Sequence, residues 1–276
     1  MCDDTVSIVT LDPMLRCYIE YIISRREDTH QVPNKSKFIL VTLEGSVSNY
    51  ENKGLIANGQ IYDIHKYPFV VGIIINIVLK FTTKHAICTG SLISQWFVLT
   101  AAHCTENMKI SNINLRKPFK NINHYISVSG HPDDFSDGKS LNCVVIGFGR
   151  TEDNPHPNFI GYMTNSSVTY GPTACQLSNR SNIIETWKEY LCSKPDIHMV
   201  CPGDSGGPMI CKGSLYGITS HGYNYKDLNT DFKCGSSDIQ TRHLFVYAYR
   251  KWIADIINIG NSLIPHYSLY FTTILL

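Results

Sequence analysis

The sequence predicts an all-β fold closed by one C-terminal helix, and three observations carry that prediction. Short strand-like runs recur along the middle of the chain, rich in Val, Ile, Phe and Thr. Turn formers separate them, with 19 Gly and 12 Pro spread through short segments rather than gathered in one linker. Near the end the apolar spacing changes from strand-like to helical.

In chain order, the runs are Phe69 to Leu79, Gly90 to Leu99, Cys143 to Gly147, Pro208 to Cys211 and Leu215 to Thr219. Each is four to eleven residues long, the length of a globular strand. From Phe245 to Ile259, Phe245, Tyr249, Trp252, Ile253, Ile256 and Ile257 fall on one face of a 3.6-residue repeat, which predicts the terminal helix. No internal repeat occurs at solenoid spacing.

Composition narrows the function classes. Hydrophobic residues make up 43% of the 276, enough for a packed core, and 24 basic residues face 23 acidic ones for a net charge of +1. Neither sign forms a block, so nothing argues for nucleic acid or a membrane surface as partner. Ten cysteines are heavy for a cytosolic chain and ordinary for a disulfide-bonded extracellular one. No Cys-x-x-Cys pair occurs, which weighs against a zinc site, and no cofactor motif is present.

Two short motifs carry chemistry. Leu99-Thr100-Ala101-Ala102-His103-Cys104 follows the apolar run Trp96 to Leu99, which points to a strand that delivers an imidazole to a cleft. Gly203-Asp204-Ser205-Gly206-Gly207-Pro208 crowds a serine with glycines, as a strained turn needs if backbone N–H groups are to converge on one oxyanion. Gly-x-Ser-x-Gly also marks the α/β-hydrolase elbow, but there the histidine follows the serine, whereas His103 precedes Ser205.

Both motifs, in this order, resemble those of the chymotrypsin/trypsin-like (S1) serine peptidases. The resemblance implies a chymotrypsin-like double β-barrel with a C-terminal helix over 56–258, with His103 as general base, Ser205 as nucleophile and the N–H groups of Gly203 and Ser205 as oxyanion hole. It implies the disulfides Cys88–Cys104, Cys143–Cys211, Cys175–Cys192 and Cys201–Cys234. It further implies that Ile56, in Ile56-Ala57-Asn58-Gly59, becomes a new N-terminus by cleavage and pairs with Asp204. Leu55 precedes Ile56, so a trypsin-like activator would not cut at the usual bond. Substrates would be proteins or peptides, with an activating protease as a further partner and an extracellular location.

Residues 1–55 have no counterpart in the family and lack a signal-peptide pattern; they are expected to form an N-terminal extension or pro-segment. Sequons stand at Asn34, Asn165 and Asn179. Residues 259–276 form an apolar tail too short and broken to span a bilayer. Its Gly260-Asn261-Ser262 lacks the polar spacer of a GPI signal.

Spacing exposes a departure from the family. The family places the triad acid about 45 residues after the histidine and the serine about 93 after the acid, a total of about 138. Here the interval is 205 − 103 = 102, so about 36 residues are missing. Ile110 to Phe119 resembles the strand headed by the acid, and counting back puts Lys109 at the acid's place. The deficit therefore falls between Cys104 and Lys109, where middle strands of the first barrel should lie, and that barrel is expected to be incomplete. Glu106, Asp133, Asp134 and Asp137 are the nearby carboxylates, and nothing in their spacing aims them at His103. The expected activity is impaired peptide-bond hydrolysis through an acyl-enzyme. The alternative is a catalytically inactive homologue that serves as a binding or regulatory module.

For substrate choice, the resemblance puts Met199 at the pocket base, with Ser220-His221-Gly222 and Ser237-Asp238-Ile239 as walls. Methionine implies an apolar floor, while Asp238 would recruit a basic side chain if its carboxylate faced inward.

Overall fold

The computed structural model describes residues 6–10, 37–40, 56–78, 83–94, 97–104, 124–150, 160–176, 186–227 and 229–258. Glu106, Lys109, the strand expected at 110–119 and the tail 259–276 lie outside the described residues. Twelve strands lie among the described residues: β1 (Val6–Thr10), β2 (Lys37–Leu40), β3 (Gln60–Ile61), β4 (Val70–Val78), β5 (Thr83–Leu92), β6 (Phe97–Ala101), β7 (Leu141–Gly147), β8 (Tyr162–Thr169), β9 (Tyr190–Ser193), β10 (Pro208–Cys211), β11 (Ser214–Asn224) and β12 (Ile239–Phe245).

They form two sheets. The first is ordered β1-β6-β5-β4-β2 and does not close among the described residues. The second runs β8-β7-β10-β11-β12-β9 and closes through a β8–β9 pairing into a six-stranded barrel, with β3 added outside β8. Residues 126–129 bridge the two, because Ile126 N–H donates to Leu92 while Val128 bridges to Leu215. Covering both faces lets apolar residues dominate. All five residues of β6 and all four of β10 are buried.

The run from Gly90 to Leu99 is not one strand. It splits into the ends of β5 and β6, and the Ile93 N–H donates to the Phe97 carbonyl at 3.0 Å to close a hairpin. Phe245 belongs to β12, where it pairs with Gly217, and the helix starts one residue later and runs over 246–258. Its Val246, Ile253 and Ile256 are buried, each stabilising by about 2 kcal/mol. Tyr249, Trp252 and Ile257 pack on the same core.

Candidate active site

β6 feeds directly into a 3-10 turn, Ala102–Cys104, that holds His103 half-buried. The Cys88–Cys104 disulfide ties this turn to β5. A ring nitrogen of His103 and the sulfurs of Cys88 and Cys104 lie within 4.8 Å of one another, but the sulfurs are bonded to each other and offer no thiolate to a metal. The structure also joins Cys143 to Cys211, Cys175 to Cys192 and Cys201 to Cys234.

Ser205 sits on the turn that precedes β10. Gly203 (φ +108°) and Gly206 (φ +82°) take backbone conformations that side chains disfavour. Space forbids a side chain as well: a Cβ on Gly206 would lie 2.0 Å from Thr100 Oγ1, and one on Gly203 would lie 2.6 Å from Gly149 Cα. The turn is anchored by Gly206 N–H to the Thr219 carbonyl (2.7 Å) and Thr219 N–H to the Gly207 carbonyl (2.8 Å). Among the described residues, neither the Gly203 nor the Ser205 N–H donates to an acceptor. The Ser205 hydroxyl donates to the Ser220 carbonyl at 3.1 Å, so its proton points at backbone in this state.

Thr89, which the sequence did not single out, fastens the two halves together. From β5 its N–H donates to the Ser205 carbonyl (2.8 Å) and its Oγ1 to the Gly203 carbonyl (3.2 Å). The same Oγ1 accepts from Phe148 N–H (3.1 Å), and its carbonyl accepts from Thr100 Oγ1 (2.8 Å). Two bonds depend on that hydroxyl, one buried and one partly buried. Thr89→Val is therefore expected to lower unfolding free energy by about 1–3 kcal/mol, read as a lower denaturant midpoint at unchanged slope; an unmoved midpoint would contradict the assignment.

Asp204 is fully buried. Its Oδ2 accepts from Cys201 N–H (2.7 Å) and its Oδ1 from Gly149 N–H (2.8 Å). Burial outweighs these bonds and pushes its pKa up to about 7. Ile56 is also fully buried, with φ +56°, a conformation costly for a β-branched residue. It packs on Tyr162, the ladder partner of Gly147, and Gly147 lies against the Asp204 carboxylate. The next residue, Ala57, donates its N–H to the Met199 carbonyl at 3.0 Å.

Met199 is buried in an apolar cluster with Ala57, Cys201 and Ile239, on which Phe232 packs. Phe232 also covers Gly222, where a Cβ would lie 2.5 Å from its ring. Ser220 is buried beside Ser205, and its Oγ lies 3.2 Å from His221 Nδ1. Asp238 does not share this apolar environment: its carboxylate pairs with Lys226 Nζ, both side chains about half exposed.

The loop acids are similarly engaged. Asp134 accepts from Lys212 Nζ, Tyr216 OH (2.9 Å) and His131 N–H, and the Lys212 ammonium holds its carboxyl below the usual range. Asp133 faces His131 at 3.2 Å. Asp137 sits at the kink of the 3-10 segment Pro132–Gly138 with φ +60°.

The Trypsin family model matches residues 56–129 and 110–241. The chain is 27% identical over 262 residues to Factor V activator of Macrovipera lebetinus, covering 75% of this chain and 89% of that one. Against kallikrein-8 of Rattus norvegicus it is 24% identical over 239 residues, covering 72% and 85%. Its fold is similar to the crystal structure of the scabies mite inactivated protease paralogue S-D1, with a TM-score of 0.54 and 20% identity over 74% of this chain and 97% of that one. The family-model match spans most of the region that holds both sheets and the serine turn, and the chain belongs to the trypsin family of serine endopeptidases.

Proposed function

We propose that this protein hydrolyses peptide bonds slowly, with Ser205 as nucleophile and His103 as general base, Lys109 standing in the sequence where the family carries its aspartate. The observation that carries the proposal is the serine turn itself, where Gly203 and Ser205 leave two N–H groups open for a developing oxyanion. The turn is glycine-shaped and Gly203 and Ser205 are only partly buried, so a substrate carbonyl can reach both donors. Loss of the acid alone removes about four orders of magnitude from turnover and leaves the oxyanion hole intact. The family model matches in two segments that overlap over 110–129, in keeping with a deficit close to that point.

Cleavage before Ile56 completes the mechanism. In the uncut chain the φ of Ile56 is fixed by its bond to Leu55, and Asp204 has no cation beside it among the described contacts. Cutting that bond removes the strained dihedral and makes an ammonium that offsets the desolvation of Asp204. Four disulfides fit an oxidising, extracellular site of action.

The floor at Met199 and the pairing of Asp238 with Lys226 favour an apolar side chain at the residue before the cut. Thioester substrates suit a weak enzyme, and across such a panel apolar residues should exceed Lys and Arg in kcat/KM by at least about ten-fold; the reverse order would reassign the pocket to Asp238. The second reading, an inactive binding module, is favoured by Lys109 at the acid's place. It predicts no Ser205-dependent turnover on any member of the panel.

A further inference from the structure

The strand that leads to His103 has neighbours on both sides. β6 pairs with β5 through Ser91↔Leu99 and Leu92↔Val98. Its other edge is taken by β1 in five consecutive antiparallel pairs, from Val6↔Ala101 to Thr10↔Phe97. At the far side of the sheet, β2 covers β4 through four pairs, from Lys37↔Ile77 to Leu40↔Ile74. Among the described residues, the strands that the trypsin-family region gives this sheet, β4, β5 and β6, therefore have both outer edges covered by residues that precede Ile56.

These edges need covering. About 36 residues that would furnish first-barrel strands are missing after Cys104, and β6 is buried at all five positions. A bare edge there would leave a row of unpaired N–H and C=O groups beside an apolar strand, a template for aggregation. One chain can serve both edges. Five strands are about 19 Å across, whereas the 36 − 11 + 1 = 26 residues between β1 and β2 reach about 85 Å when extended.

We propose that β1 and β2, which both precede Ile56, are a permanent structural complement of the first barrel, standing in for its missing strands, and do not leave as part of a pro-segment. The inference rests on the proposed cleavage before Ile56 only for its consequence, which is that the processed protein is a two-piece complex held by strand addition. Covalent tethering is excluded by the cysteine pairing. Eight of the ten cysteines are joined within 88–234, and the remaining two, Cys2 and Cys17, both belong to the extension.

The test uses the full chain with a site-specific protease sequence placed between Glu44 and Gly54. After cutting, non-reducing gel filtration with intact-mass analysis should find both pieces in one peak, separable only in concentrated guanidinium chloride. A domain that elutes alone with unchanged circular dichroism and thermal midpoint would overturn the proposal. A second arm replaces Ser7→Pro and Ile8→Pro together. Alternate residues of an antiparallel strand direct their N–H to the partner, so one of two adjacent prolines must remove a ladder donor. In the uncut variant, amide exchange at 97–101 should accelerate by about ten-fold or more, and the cut variant should shed its extension. Should that variant not fold, exchange in the unaltered protein decides: protection of the alternate amides within 6–10 that face β6 supports the proposal, and free exchange at all of them overturns it. Mass and exchange are read without activity, so an inactive protein leaves the test intact.

Discussion

Asp204→Asn is expected to flatten the pH dependence of stability in the uncut protein and to cancel the gain that cleavage brings. The carboxyl of Asp204 titrates near 7 in the fold, against an ordinary value of 3.8. Between those values the folded state holds a proton that the unfolded chain releases, so stability falls as pH rises from about 4 to about 7. Three units at 1.36 kcal/mol each make the loss on the order of 4 kcal/mol. An asparagine cannot ionise, so the variant should lack this fall across that window. Cutting before Ile56 should then raise the midpoint of the unaltered protein at neutral pH and leave that of the variant where it was. Turnover in the cut variant should drop by about 10²–10³-fold, the effect of losing one oxyanion donor, because Asp204 sits between Gly203 and Ser205. Equal pH slopes in both proteins would show that Asp204 is not the titrating group.

How much of this was legible in the sequence depends on whether the cause is local. The serine turn announces itself because glycine is demanded at 203 and 206 by positive φ and by contacts within 3 Å. β4, β7 and β10 were visible because apolar residues dominate them, interrupted inside the strands only by Gly72 and Asn76 in β4 and Asn142 in β7. β12 was not, since Gln240, Thr241 and His243 lie in it, and its burial is tolerated only through bonds such as Gln240 Nε2 to the Ser193 carbonyl at 2.8 Å. Thr89 was hidden for a related reason. Its hydroxyl's partners, Phe148 and Gly203, lie 59 and 114 positions away, and nothing around it in the chain marks it. β1 and β2 were equally obscure, because their ladder partners, β6 and β4, lie far along the chain. The helix start was misplaced by one residue, since Phe245 satisfies both the helical spacing and the ladder to Gly217.

The second large effect concerns the nucleophile. Ser205→Ala and His103→Ala should each bring hydrolysis to background, and the unaltered enzyme should run about 10⁴-fold below one with a complete triad. The pair differ in what they leave behind. With His103 removed the hydroxyl remains, so its reaction should recover as pH rises and hydroxide replaces the base; with Ser205 removed it should not. The most direct measurement is the rate at which a fluorophosphonate modifies the folded protein cut before Ile56, with the modified residue located by mass spectrometry. Slow labelling confined to Ser205, absent in Ser205→Ala, is the predicted result. A folded, cut protein that labels no faster than Ser205→Ala would contradict the account and leave the inactive binding module in its place.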